Sequence, residues 1–485
     1  MSSFLNIHWP LLTTEIALIS FAILMMIWDL FIPDTEKRGK LLANAALIGV
    51  AGLTILQVLR WGIFGTTLGG SFIQDGVSSF FKVIFCLSAF FTLFMARDYQ
   101  AKLKRGHGEF TLLVLFSLIG ILFLASANDF LLFFISLEIL SISLYIMTAY
   151  LKDDARSIEA GIKYIVLGAL STAVFLYGLS FIYGTTGSTS YLEIQKNLAL
   201  MPSIPTGFIF GMILVVSSLA FKIAAVPFHL WVPDIYEGAP APVVSFLATA
   251  SKAAGFLALI RLSMTVFAPL ETTLAAIYSV LAVLTIIYGN LGAIPQTNIK
   301  RLMGYSSIGH AGYLLIGLAA FGSSGKEAIL FYLLSYLFST AGIFLVIVAL
   351  SKTAKTSQIS EYAGLGQRSP VLAAGMLISL LSLAGVPPLS GFLAKFYLLW
   401  AGVKAGYLWL VIVGILNVVI SLYYYLKIVK TMYLEKPSDL SPLNVTASQK
   451  AMQYFSMFAI VLLGVWPGPF VHWAQTAFTA VLSLR

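Results

Sequence analysis

Apolar runs of about 20 residues, long enough to cross a hydrocarbon core as helix, recur along the whole chain, with short polar stretches between them. By that length rule about fourteen spans are predicted, near 11–32, 41–64, 77–96, 110–127, 129–150, 158–183, 207–236, 242–266, 273–294, 301–321, 326–350, 371–401, 406–432 and 452–475. The opening MSSFLNIHWPLLTTEIALIS has no basic segment and no small-residue cleavage pattern. It reads as a retained first span rather than a signal peptide.

Two of the runs are interrupted. AVPF (Ala225–Phe228) and GVPP (Gly385–Pro388) each place proline after a small residue and a valine. Proline removes a backbone donor and clashes with the preceding turn. In lipid the freed carbonyls need partners in protein or in a wet cavity. Broken helices are therefore predicted at Pro227 and at Pro387–Pro388, one in each half of the chain. Paired interruptions of this kind point to an inverted-repeat transporter. The expected organisation is a three-helix segment 1–109, a first five-helix repeat 110–266 (helices 4–8), a second 273–432 (helices 9–13), and a last helix within 433–485.

Composition agrees with the pattern. The chain is 59% hydrophobic and only 10% charged, with a mean hydropathy of +0.94; a soluble chain carries about 25% charged residues. The expectation is an all-α polytopic membrane protein with the lipid bilayer as its solvent. A formal net charge of +9 could suggest nucleic acid, but the basic residues are spread over short loops, with no basic tail. They read as topology-setting charge. With the N-terminus outside, the outer segments hold only Lys196, Lys326, Lys404 and Arg485. The inner loops hold about eighteen, among them Lys37, Arg38, Lys104, Arg105, Lys300, Arg301, Lys352, Lys355 and Lys427, the bias of the positive-inside rule. Both termini are expected on the outer, periplasmic side of a bacterial inner membrane. The single Cys86 excludes a disulfide within the chain and a thiolate metal site.

The candidate chemistry lies in charges within spans. A lysine at mid-bilayer costs about 2.5–3.5 kcal/mol on insertion scales. Such residues face the bundle interior, pair with a carboxylate or line a wet path. Desolvation disfavours the charged form, which turns a fixed cation into a group able to bind and release a proton. Lys222 lies just before the first break and Lys395 just after the second, while Lys252 and Lys163 lie within other spans. The alternative for each is a static ion pair that fixes helix register. Glu138 stands mid-span among apolar and small neighbours; a Glu138–Lys222 pair that opens and closes would be a proton switch. His310 has a side chain suited to proton exchange near neutral pH. His229 and Asp234 follow the first break and would continue a path toward the inner face, with simple packing an equal reading for His229. Arg60 and Arg261 sit near span ends, where snorkelling serves, and Asp29, Asp129, Glu159 and Glu15 are expected at interfaces.

These residues carry a family resemblance. SLEILSISLYIM (Ser136–Met147), SIEAGIKYIVLGALSTA (Ser157–Ala173), FKIAAVPFHLWVPDIYEGAPAPVVSFLATASKAA (Phe221–Ala254), QTNIKRLMGYSSIGHAGYLLIG (Gln296–Gly317) and LAGVPPLSGFLAKFYLL (Leu383–Leu399) together resemble the antiporter-like membrane subunits of proton-pumping NADH:quinone oxidoreductase, respiratory complex I. The N type, called subunit 2 in mitochondria, is the most similar branch, and the likeness covers nearly the whole chain. It implies that Glu138, Lys222, Lys252, His310 and Lys395 form a proton relay driven by electron transfer in other subunits, with Lys163 matching a sixth-span lysine at its margin. It also implies that FMN, the iron–sulfur clusters and quinone are held by partner subunits and none by this chain. The implied partners are the M-type, K-type and neighbouring subunits of the membrane arm. A lysine at 395 is similar to the N and L types; M-type and several antiporter subunits tend to carry glutamate there. The L type is longer. Open beside this are a subunit of a multisubunit Na⁺/H⁺ antiporter, a plastoquinone- or ferredoxin-linked relative, a membrane hydrogenase, and a structural subunit that conducts nothing.

Overall fold

The computed structural model describes residues 7–33, 35–103, 106–351, 356–436 and 442–482. Lys104, Arg105, Lys352, Lys355 and Arg485 of the charge pattern lie outside the described residues. The described chain is helical, apart from one small antiparallel hairpin and the connecting turns. Among the described residues eleven helices are long and apolar enough to cross a membrane, or twelve if one bent pair counts as a single span. Helix starts follow local capping chemistry: Asp75, Asp129, Asp154, Asn298 and Thr446 each accept a backbone N–H of the first turn, as short polar side chains do at N-caps.

The chain forms two compact units, Met1–Ile223 with Ala250–Thr272 and Gln475–Arg485, and Ala224–Thr249 with Thr273–Ala474. In the first, the helices Ala155–Thr186 and Thr206–Ile223 lie against each other at Gly178 and Gly211. A Cβ on Gly178 would sit 2.8 Å from the Gly211 carbonyl oxygen. Small residues let membrane helices approach this closely, and Ser218 Oγ donates across the seam to Ser171 O at 2.8 Å. In the second unit the buried helix Lys326–Leu350 packs on Pro370–Ala384, Ser390–Lys404 and Ala447–Val465.

Both broken helices are present. Thr206–Ile223 stops ahead of Ala224, which has φ +65, and the chain resumes as helix at Trp231–Gly238 beyond the cis Val226–Pro227 bond. Pro370–Ala384 ends at Gly385, with φ +90, and Ser390–Lys404 follows the cis Pro387–Pro388 bond. Gly385 and Val386 N–H both return to Leu381 O, a left-handed stop that glycine adopts without a Cβ penalty. The restarted helix packs on the stopped one so closely that a Cβ on Gly391 would lie 1.8 Å from Ser382 O. Gly391→Ala is therefore expected to destabilise the second unit by about 1–3 kcal/mol, as overpacking does. A lowered thermal midpoint of the purified assembly would register it; an unchanged midpoint would mean that the break is loosely packed.

Three features depart from the sequence reading. The segment read as a single span 452–475 bends by 80° between Ala447–Val465 and Gly468–Thr479, where Pro467 and Pro469 flank Gly468 and deny the helix its donors. Gly65–Thr67 pairs with Phe72–Gln74 as a hairpin, and Tyr191–Ala199 is a short helix between spans.

Candidate functional site

In the first unit Glu138 projects from the helix Phe130–Thr148, and Lys222 is the penultimate residue of Thr206–Ile223. Lys222 is 6% exposed. Its Nζ donates to Ser141 Oγ at 2.7 Å and stands 5.9 Å from the centre of the Tyr145 ring. Ser141 is three residues beyond Glu138, hence on the same helix face. Glu138 Oε1 accepts instead from Thr172 Oγ1 at 2.9 Å. The two members of the expected pair are thus both brought to the Phe130–Thr148 helix, each held by a hydroxyl rather than by the other. Lys252, 2% exposed, is the first residue after a π turn, Leu247–Ser251, in an otherwise α-helical stretch, Ala241–Met264, that is buried from Ala241 to Ser263. Single π turns are frequent at functional positions. Lys163 is not brought into this group: it pairs with Glu159 at 2.8 Å, with the two side chains 41% and 64% exposed.

In the second unit His310, on Ile299–Ala319, is bracketed by tyrosines. Its Nδ1 lies 2.5 Å from Tyr332 Oη and its Nε2 3.1 Å from Tyr425 Oη; Tyr425 Oη lies in turn 2.5 Å from Ser306 Oγ. A cavity of about 10 Å³ is lined by His310, Tyr332, Tyr336, Ser335, Ser339, Ser382 and Lys395, close to the smallest space that holds one water. The serines bond one another around it, Ser335 to Ser390 and Ser339 to Ser382 at 2.8 Å each. Lys395 Nζ donates to Ala384 O at 3.1 Å, a carbonyl released by the second break, and stands 4.9 Å from the Tyr313 ring. His229 lies edge-on to Tyr288, with ring centres 4.1 Å apart, and does not line this cavity. Asp234 and Glu237 share Arg301 at 2.7 and 3.1 Å in a partly exposed cluster.

Sequence reading missed the hydroxyl partners Ser141, Thr172, Tyr332 and Tyr425, whose residue types carry no span-level signal. It also placed Glu15, Arg261 and Asp29 at water-facing span ends, where the structure buries them. Glu15 is 1% exposed and pairs with fully buried Lys82 at 2.5 Å. Arg261 does not snorkel: it is 6% exposed and pairs with Asp75. Asp29 is buried and paired with Arg38. In each case a residue on another helix, or at its cap, brings the opposite charge to the span end.

Fold and site together define a polytopic helical membrane protein with titratable side chains buried at broken helices. A family model described as NADH:quinone oxidoreductase/Mrp antiporter, TM matches residues 127–421. NADH-quinone oxidoreductase subunit N of Moorella thermoacetica is 41% identical, with 97% of this chain and 98% of the relative covered. NAD(P)H-quinone oxidoreductase subunit 2 of Gloeothece citriformis is 41% identical over 89% and 84%. Among solved structures, a chain of respiratory complex I from Thermus thermophilus with bound aureothin has a TM-score of 0.81 at 32% identity, covering 95% of this chain and 98% of that one. A chain of the Mrp complex from Dietzia has a TM-score of 0.85 at 21% identity, a likeness of fold. The chain belongs to the NADH:quinone oxidoreductase/Mrp antiporter membrane family, on the branch of the NADH-quinone oxidoreductase N subunits.

Proposed function

We propose that this chain is a proton-translocating membrane subunit of an NADH:quinone oxidoreductase, moving protons through Glu138, Lys222, Lys252, His310 and Lys395 while electrons pass from NADH to quinone in other subunits. The observation that carries the reading is the hydroxyl-lined, water-sized cavity that His310 and Lys395 share at the second helix break. A structural span gains nothing from a buried lysine beside a polar void; a proton path needs both. In this reading Glu138 and Thr172 keep the carboxylate apart from Lys222 in the present arrangement, and closing the pair holds the proton on the lysine. Lys163, His229 and Asp234 lie at its margins.

The assembly supplies the rest. FMN, iron–sulfur clusters and quinone belong to partner subunits, and the M-type, K-type and neighbouring membrane-arm subunits are the partners. We count fourteen spans: the eleven long apolar helices, the bent pair, Ile299–Ala319, and the broken Pro370–Lys404 segment. Helices 4–8 and 9–13 form the inverted repeats, and both termini face the outside of a bacterial inner membrane.

The test uses the purified assembly in vesicles, following NADH-driven lumen acidification and quinone reduction for wild type and Lys395→Met. Acidification is expected to fall severalfold in Lys395→Met with the complex intact on a gel. Unchanged acidification would remove Lys395 from the path. Absence of NADH activity from the assembly would instead favour a Na⁺/H⁺ antiporter.

A further inference from the structure

A second set of buried charges lies in the first unit, outside the relay. Asp75 is fully buried and caps the helix Gly76–Tyr99, accepting Ser78 N–H at 2.8 Å. Arg261 reaches it from the far end of the Lys252 helix, 186 residues away in sequence. Its Nη1 binds Asp75 Oδ2, its Nη2 binds Asp75 Oδ1 at 3.0 Å, and the same Nη2 donates to Ala125 O at 3.0 Å. One guanidinium thus ties the Lys252 helix to the start of one helix and the end of another, His107–Ala125. Planar, multi-donor Arg holds such a geometry where a point charge would not.

The clamp acts on one side of Lys252 only. Arg261 lies nine residues beyond it, roughly 13 Å along the axis, while on the other side the backbone passes through the π turn Leu247–Ser251. Between them the helix presses on the end of the Lys222 helix. A Cβ on Gly255 would lie 2.6 Å from Ile223 Cγ2 and 3.5 Å from Lys222 Cβ. The contact has no slack, so the height at which Arg261 is held sets how Lys252 stands against Lys222.

We propose that Asp75 and Arg261 are positioning residues that fix the register of Lys252 against Lys222. The inference rests on the reading of those lysines as proton carriers.

Its test is the number of protons moved per NADH oxidised by the intact, purified assembly in vesicles, for Arg261→Gln, Asp75→Asn, Arg261→Lys and, as reference, Lys252→Met. The neutral variants are expected to lower the ratio at least twofold while quinone reduction continues, and Arg261→Lys, which keeps the charge but not the fork, to recover only part of it. A wild-type ratio in either neutral variant, with Lys252→Met lowered, would overturn the positioning role alone. A wild-type ratio in Lys252→Met would instead overturn the proton-carrier reading beneath it. If neither neutral variant assembles, the pair holds the fold rather than placing Lys252, and the inference falls.

Discussion

Lys222→Met is expected to reduce NADH-driven proton transport to less than about a tenth of wild type, since a positioned proton-transfer group contributes on the order of a hundredfold or more, while the assembly stays intact. Met matches the lysine stem in volume, so packing at the helix end is kept and volume-conserving replacements are tolerated. What is lost is the ammonium and its bond to Ser141. Glu138→Ala should show the same split of transport from assembly. Its carboxylate bonds Thr172 rather than Lys222, so its removal strips the partner from a hydroxyl and leaves the lysine bond to Ser141 in place. Gel analysis of the assembly alongside lumen acidification checks both. Wild-type acidification in Lys222→Met would mean that the first break carries no proton and that its lysine is a static register pin.

How much of this was legible in the sequence follows from how each feature is encoded. The breaks were legible because proline acts on its own helix: Pro227 and Pro387–Pro388 stop their helices without help from distant residues. Lys222, Lys252 and Lys395 were legible because a cation within an apolar run is anomalous wherever it stands. Their partners were not. Ser141 and Ser335 sit among many serines, and only the packing of separate helices selects them. The cavity between His310 and Lys395 is a property of four segments, since its lining comes from Ile299–Ala319, Lys326–Leu350, Pro370–Ala384 and Ser390–Lys404. The reading failed most at the span ends. Glu15, Asp29 and Arg261 were assigned to water by position, yet burial is decided by what folds over them. In the first unit the hairpin Gly65–Thr67 with Phe72–Gln74 delivers Gln74 and Asp75 to Lys82 and Arg261.

That buried layer gives the largest expected effect on stability. Lys82 Nζ sits 2.5 Å from both Glu15 Oε1 and Gln74 Oε1, and 5.1 Å from the Phe72 ring centre. Glu15 has no other ion-pair partner among the described residues. The two members are therefore unequally supported. Removing Lys82 strands a carboxylate with nothing to offset its desolvation, whereas removing Glu15 leaves the ammonium its amide and its ring. Breaking a buried pair from one side costs about 3–5 kcal/mol, while replacing both members by apolar residues of similar volume is often neutral or stabilising. Lys82→Met is expected near the upper end of that range, and Glu15→Leu clearly below it. The double variant Glu15→Leu with Lys82→Met should recover most of the loss, to within about 1 kcal/mol of wild type. Thermal midpoints of the purified assembly give the order directly. A double variant as unstable as Lys82→Met alone would mean that Lys82 stabilises this layer through Gln74 and Phe72, with Glu15 a passenger.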